Sequence, residues 1–352
     1  MSDDSVSTIR QASLDVRDAL PIEKIVDFLR RESGDDKFDV VEAKSPDATG
    51  VSSGGLFLTC RDGSGETQRL FLKYDTQAKV RPFHIYDIAG QYRVQSVLYA
   101  AGLPVPEPLY LDANGDQLGR AGFVMRVVVG EPGSSKAWLE GALAKVEPQE
   151  RDGMLHDAVR QMVRMHSIDT SKPELAFLKE IAPGGNSIER EIRWSLDLIK
   201  YHGFSDPRID AAAAALRLAI PDQYTDVFNH GDNKFDNYLF SDGKVASIID
   251  FEMANFAPPQ MDLAYLLFTT RNLTPPDSPN PGWFPDEHAL ISLYEGAGGI
   301  KITDFAYFQD VAAFKFSCMI LAFTSRLGIL AQAPQMFTSY WAAIESIPSK
   351  YN

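Results

Sequence analysis

Only two cysteines, Cys60 and Cys318, occur among 352 residues, and neither stands in a CxxC or Cys/His cluster. That excludes a disulfide scaffold and a cysteine-ligated zinc site, and it suits a reducing compartment. An excess of basic charge is missing as well: 34 Lys and Arg against 48 Asp and Glu leave a formal charge of −14. Such a balance disfavours a nucleic-acid partner and attracts cations, although solubility alone is the plainer reading. Long uninterrupted apolar runs are absent. The most apolar late segment, FKFSCMILAFTSRLGIL, is broken by Lys315 and Arg326 and reads as a buried amphipathic helix, not a membrane span. The opening MSDDSVSTIR lacks the basic-then-apolar pattern of a signal peptide, so a cytoplasmic location is expected. There is no internal repeat, and no Gly-x-Ser-x-Gly elbow that would give a serine hydrolase its nucleophile.

What is present changes texture part-way along the chain. PIEKIVDFLRRE (21–32) has apolar positions at helical spacing. The segment from Phe38 to Asp75 reads as strand, Ser/Gly turn, strand, Gly-rich hairpin and strand. DIAGQYRVQSVLYAAG (87–102) is a helix ending at Gly102, with Pro104 beyond it as a stop. A hairpin with its tip at Asn114-Gly115 follows. After GEPGSSKAW (130–138) the pattern turns helical, broken by the short strands NYLF and KVASIIDFE around a Ser-Asp-Gly turn. The expected architecture is α+β, with a small β-rich lobe (1–127) and a larger mainly helical lobe (128–352), and a ligand cleft between the two.

One stretch asks for a chemical reason. HGDNKFDN (230–237) sets Asn237 five residues after Asp232, and SIIDFE places Asp250 at the end of an apolar strand after a tight hairpin. Turn-then-strand geometry can bring Asn237 and Asp250 to one face as oxygen ligands, and magnesium favours one or two carboxylates plus substrate phosphates. Asp232 would then face an incoming hydroxyl. Phosphoryl transfer passes through a loose transition state, so positioning and charge neutralisation supply most of the rate. A carboxylate is enough to orient the acceptor and take its proton.

HGDNKFDN resembles the catalytic loop of the kinase fold, and IIDFE resembles that fold's metal-binding strand. With the following MDLAYLL, they resemble the aminoglycoside phosphotransferase and choline kinase-like family of small-molecule kinases. A chance His-Gly-Asp-x4-Asn has odds on the order of one in a thousand from composition. The resemblance runs from about residue 20 to 345 and implies a protein-kinase-like two-lobed fold. It implies Asp232 as the catalytic base, Asn237 and Asp250 as Mg2+ ligands, and His230 and Asp262 as structural supports. Asp262 also fits a plain helix N-cap. Gly231, where many regulated protein kinases carry an Arg, and the lack of Ala-Pro-Glu in FAPPQMDLAY argue against a protein kinase.

For the nucleotide, Lys73 in RLFLKYD resembles the kinase-fold lysine that reaches the α- and β-phosphates of ATP. Ser52, Ser53, Gly54 and Gly55 form SSGG, which serves either as a phosphate-covering loop or as a simple turn. FVMRVVVG resembles the hinge strand whose backbone reads the adenine around Arg126 and Val127. The family's Glu partner for the lysine is replaced by Gln91, with Asp87 one turn earlier as a substitute. Gln91 keeps a second reading open, that of a kinase-fold nucleotide-binding regulator with little or no transfer activity. His166 in MHSID is most simply a packed helix residue. Glu252, Glu191 and Trp194 are candidate contacts to a cationic small-molecule acceptor, with SIEREIRW (187–194) either a lid or an ordinary solvated helix. Neither a nucleic-acid nor a membrane partner is expected.

Overall fold

A computed structural model describes residues 20–46, 54–76, 80–136, 139–179, 186–273 and 283–351. Two compact units result, Met1–Val128 and Val129–Asn352.

The first unit opens with α1 (Ile22–Ser33), whose stripe of Ile25, Phe28 and Leu29 is buried. The helix stops at Gly34, which adopts a left-handed φ of 69° as the C-terminal cap. Five strands follow: β1 (Asp39–Lys44), β2 (Gly54–Arg61), β3 (Thr67–Tyr74), β4 (Pro108–Asp112) and β5 (Gly122–Arg126), with α2 (Ile88–Ala100) between β3 and β4. They form one sheet in the order β1-β2-β3-β5-β4, with every neighbouring pair antiparallel. Alternation sorts the two faces. Leu56, Leu58, Cys60, Leu70, Leu72 and Tyr74 pack with the α1 stripe. Phe71, Phe123 and Met125 pack on the other side with Ile88 and Tyr92 of α2. Burying each such large side chain contributes about 1.5–3 kcal/mol. Asp87 caps α2 by accepting from Gly90 N at 2.7 Å. The β4–β5 connection is wider than a tight hairpin because the Asp112 carboxylate gathers the amides of Gly115, Asp116, Gln117 and Leu118 around itself.

The second unit begins with the short β6 (Glu131–Pro132) and continues with α3 (Pro148–His166), α4 (Ser187–Tyr201) and α5 (Pro207–Leu218). Next come β7 (Val227–Asn229), β8 (Tyr238–Ser241), β9 (Lys244–Ile248) and β10 (Asn255–Ala257). Helices α6 (Gln260–Leu273), α7 (Glu287–Gly296), α8 (Phe305–Arg326), the one-turn α9 (Ile329–Gln332) and α10 (Thr338–Tyr351) complete it. The β8–β9 hairpin turns on Asp242 and Gly243, both at positive φ (51° and 70°), as a two-residue turn matched to strand twist requires. β7 and β10 pair antiparallel, Asn229 opposite Asn255. These two ladders anchor both ends of the loop 230–237 and of the segment 249–254, which places HGDNKFDN beside IIDFE.

Helix α8 is buried, as expected of FKFSCMILAFTSRLGIL, but more completely than an amphipathic helix would be. Residues on every side of it are buried, Val311, Phe314, Phe316, Cys318 and Ala322 among them, and α4, α6 and α10 pack around it. Among the described residues it is the one helix long and apolar enough to cross a membrane, and 83% of the relevant stretch is buried inside the unit.

Candidate active site

The loop after β7 is held from below by one carboxylate. Asp262, in the first turn of α6, accepts from His230 N at 2.8 Å on one oxygen and from Gly231 N at 3.0 Å on the other. Its backbone carbonyl accepts from Asn233 Nδ2 at 3.1 Å. The carboxylate therefore serves the loop in preference to capping its own helix. His166 closes the arrangement, with Nε2 3.2 Å from Asp262 and Nδ1 2.8 Å from the Tyr294 hydroxyl. Burial alone would raise the Asp262 pKa, but the hydrogen bond and charge of His166, together with His230, outweigh it and hold the group below the usual carboxylate value. The expectation of a merely packed His166 is thus too plain; it orients the clamp.

Gly231 is required by shape. Its φ is 80°, and a Cβ there would stand 1.9 Å from the carbonyl oxygen of Met253. His230 spans to the other segment, its Nε2 3.0 Å from the carbonyl of Ile249 and its ring tilted over Phe251 at 4.9 Å. Through this contact the loop is registered against the residue before Asp250.

Asp232 is 3% exposed. Lys234 Nζ lies 2.7 Å from its Oδ2, and Asn237 Nδ2 donates to the same oxygen at 3.1 Å and to the Asp232 carbonyl at 2.8 Å. Tyr265 of α6 is buried as well, and burial, with the negative charge of Asp232, pushes its pKa well above the ordinary tyrosine value. Asn237 is locked in place by its backbone carbonyl, which accepts from Ile249 N at 2.9 Å. Asp250 sits at a left-handed φ of 70° that a non-glycine residue adopts only when its surroundings impose it, a feature that concentrates at functional sites.

Lys234 is a site residue that the sequence reading missed. Burial pulls its pKa down, but Asp232, Asp236 and Asp250 outweigh that and hold the ammonium above the usual lysine value. Three carboxylates thus focus on one cationic group, and Asp236 is steadied by Ser135, whose amide donates to it at 2.9 Å. Among the described residues there is no cluster of three or more His, Cys, Asp or Glu able to hold a metal unaided. The oxygen donors of Asn237 and Asp250, in a field already strong enough to stabilise an ammonium, fit a hard divalent cation that takes its remaining ligands from a phosphate-bearing substrate.

In the first unit Lys73 is buried, at 8% exposure, on the face of β3 shared with Phe71. Gln91 of α2 is also buried, and its Oε1 finds no hydrogen-bond partner among the described residues. Asp87 is engaged by its own helix, capping Gly90 and pairing with Arg93 at 3.5 Å. Gly54 and Gly55 open strand β2, where Cβ atoms would meet the rings of Tyr74 and Phe71 at 2.4 Å. Ser52 and Ser53 lie outside the described residues. At the end of β5, Arg126 N donates to Glu107 O at 2.9 Å and Val127 N to Arg69 O at 3.1 Å. Both amides are therefore committed to the sheet, and what these two residues have to offer a base edge is carbonyl oxygen. The Arg126 side chain pairs with Glu107 at 2.5 Å.

Of the acceptor candidates, Glu191 is 7% exposed and forms an ion pair with Lys315 of α8 at 2.7 Å. Its other oxygen accepts from Asn255 Nδ2 at 2.8 Å. Helix α4 is therefore no solvated helix along this face, and the Glu191 charge is answered from within the unit. Trp194 lies with its ring 5.3 Å from the Lys315 ammonium. Glu252 is half-buried in the turn between Asp250 and β10.

Residues 47–282 match the model of the phosphotransferase enzyme family. The chain belongs to that family. Solved structures of the same fold include a Ralstonia eutropha protein assigned to the aminoglycoside phosphotransferases (TM-score 0.69, 19% identity, 93% of this chain and 99% of that one). Plasmodium vivax ethanolamine kinase is similar too (TM-score 0.57, 13% identity, 89% and 83% coverage). So is aminoglycoside phosphotransferase APH(4)-Ia in ternary complex with AMP-PNP and hygromycin B (TM-score 0.58, 15% identity, 93% and 98% coverage). The kinase-like two-lobed fold expected from the motifs is thereby shown. Among curated proteins, Acyl-CoA dehydrogenase family member 11 of Rattus norvegicus is 26% identical over 246 residues, 66% of this chain and 30% of its own length. Family member 10 of Mus musculus is 26% identical over 182 residues, 51% of this chain and 16% of its own length. The chain thus spans less than a third of these two relatives.

Within the phosphotransferase family match lie His230, Asp232, Asn237, Asp250 and Asp262, and also Lys234, Tyr265 and Glu191. Lys315 lies beyond it.

Proposed function

We propose that the protein is an enzyme that transfers the γ-phosphoryl group of ATP to a hydroxyl of a small-molecule acceptor, with Mg2+ as cofactor. The observation that carries this reading is the Asp232 carboxylate, buried and held on one oxygen by both Lys234 and Asn237. In the step proposed, the acceptor oxygen forms a bond to the γ-phosphorus while its proton passes to Asp232. The bond from that phosphorus to the β,γ-bridging oxygen breaks, and ADP leaves with the electron pair. Lys234, 2.7 Å from the Asp232 carboxylate, holds it in place for the incoming hydroxyl. Bound Mg2+, held by Asn237 and Asp250, would neutralise charge on the phosphates. Lys73 is assigned to the α- and β-phosphates, and Ser52, Ser53, Gly54 and Gly55 to covering them. The carbonyls of Arg126 and Val127, with the amide of Val128 just past the sheet ladder, are assigned to the adenine. Glu252 and Trp194 are assigned to the acceptor, and a cytoplasmic location goes with the assignment. The APH(4)-Ia complex with AMP-PNP and hygromycin B supports a nucleotide and a small molecule as the two ligands of this fold.

An acceptor screen read by mass spectrometry for the gain of one phosphoryl group tests this. Asp232→Asn should lower turnover on any acceptor found by roughly 10²–10⁴-fold, the usual worth of a general base. Equal turnover by mutant and wild type contradicts the role of Asp232.

A second reading, a nucleotide-binding regulator without transfer activity, is favoured by the buried Gln91 at the position where a Glu is expected. Calorimetry separates the two: tight ATP binding indifferent to Mg2+, with no phosphorylated product, supports the regulator.

A further inference from the structure

We infer that Lys315 of α8, paired with Glu191 of α4, is a positioning residue that holds the peptide presenting the Asp232 carboxylate. The inference rests on the reading of Asp232 as the base, and it adds to that reading two helices that the catalytic motifs do not contain.

Lysine is almost never fully buried unless paired, yet Lys315 is 3% exposed in the middle of the most apolar helix. Its ammonium donates to the carbonyl of Gly231 at 3.0 Å and meets Glu191 Oε2 at 2.7 Å. The rings of Trp194 and Tyr265 stand 5.3 and 5.9 Å away. Gly231 immediately precedes Asp232 and has no side chain with which to anchor itself. Its N–H is taken by Asp262 at 3.0 Å and its C=O by Lys315, so a charged group from a different helix grips each side of this one residue. Glu191 extends the brace to Asn255 at 2.8 Å, and Asn255 pairs across β10 and β7 with Asn229, at the entry to the same loop.

Stability alone does not call for this arrangement. A buried ion pair is often no better than apolar residues of the same volume, whereas removing one partner leaves a costly unpaired charge. A carbonyl grip on the residue before the base, by contrast, needs a donor, and no apolar substitute supplies one.

The test compares Lys315→Met, Glu191→Gln and the double variant. Melting temperature is measured first, then ATP hydrolysis with water as acceptor, then hydrogen exchange of the peptide covering residues 229–234. Lys315→Met should lose stability by leaving Glu191 unpaired, and the double variant should regain most of it. Turnover should not return with it: kcat is expected to stay roughly 10- to 100-fold below wild type in the double variant, the scale of an ångström-sized misplacement. KM for ATP should stay within about twofold, because ground-state binding is untouched. Exchange in 229–234 should be faster than in wild type despite the recovered melting temperature. Recovery of kcat together with stability, or wild-type exchange in the double variant, would overturn the inference and leave the pair a structural one. If wild-type protein hydrolysed no ATP, the acceptor screen would still decide the phosphotransferase reading, and the exchange measurement would decide for Lys315.

Discussion

Gly231 and Asp250 are the two positions where backbone conformation, more than side-chain chemistry, decides what the site can be. Gly231→Ala would force a Cβ toward the Met253 carbonyl at a φ of 80°. A loss of about 2–4 kcal/mol is expected, from left-handed strain plus overlap with backbone that cannot move aside. Urea unfolding would read it, and a shift below about 0.5 kcal/mol would mean the loop relaxes freely. Cysteine offers a second check at this scale. Burial, with the nearby Asp39 charge, pushes the Cys60 thiol up to about 12, and burial raises Cys318 as well. Because the folded pKa lies above the unfolded one, the stabilising contribution is full below about pH 8.5 and is lost as pH rises toward the folded value. Native protein at pH 8 should therefore resist thiol-directed reagents until it unfolds, and rapid labelling of the folded protein would contradict the burial.

At the scale of elements, the clamp between α6 and the loop carries the largest stake. Asp262→Asn keeps the shape but puts an NH2 group where one carboxylate oxygen accepts, so one of the buried donors gathered there loses its acceptor. A loss of roughly 3 kcal/mol or more is expected for breaking so buried an arrangement. The pH dependence has a definite sign. A depressed folded-state pKa means that the Asp262 contribution is present at neutral pH and fades as pH falls below about 3.9 toward the folded value. Asp262→Asn should flatten that part of the acid limb in urea titrations, and an unchanged limb would place the stabilisation elsewhere. These elements also show what a sequence discloses. The end of α2 was legible because Gly102 and Pro104 act locally as a stop, and the positions of Asp232, Asn237 and Asp250 because they sit at fixed spacing. Lys234, His166, Tyr265 and Lys315 were not legible as a group. Their roles arise where α3, α6 and α8 converge on one loop, and a periodic pattern along any single helix says nothing about what faces its polar exceptions. The burial of helix α8 was legible for the opposite reason, its apolar run, whereas the partners of Lys315, Glu191 and the Gly231 carbonyl, come from other elements.

At the scale of the whole molecule, the chain pairs a five-stranded antiparallel sheet unit with a larger helical unit, and the acidic balance of −14 lies over both without naming an acceptor. Acceptor recognition is where the fold constrains least: Glu191 is already answered by Lys315, and Glu252 remains the carboxylate proposed to meet a cationic acceptor. Glu252→Gln should therefore raise KM for a cationic acceptor about tenfold or leave it unchanged for a neutral one, and a kinetic comparison of the two acceptor classes separates these cases. The most direct measurement remains phosphoryl transfer itself: wild-type protein and Asp232→Asn, each with ATP and Mg2+ against a library of hydroxyl compounds, analysed for product mass. A phosphorylated acceptor formed by wild type, and slower by at least about 10² in the variant, is the expected result. A phosphorylated product formed equally fast by both would contradict the assignment of Asp232 as the base.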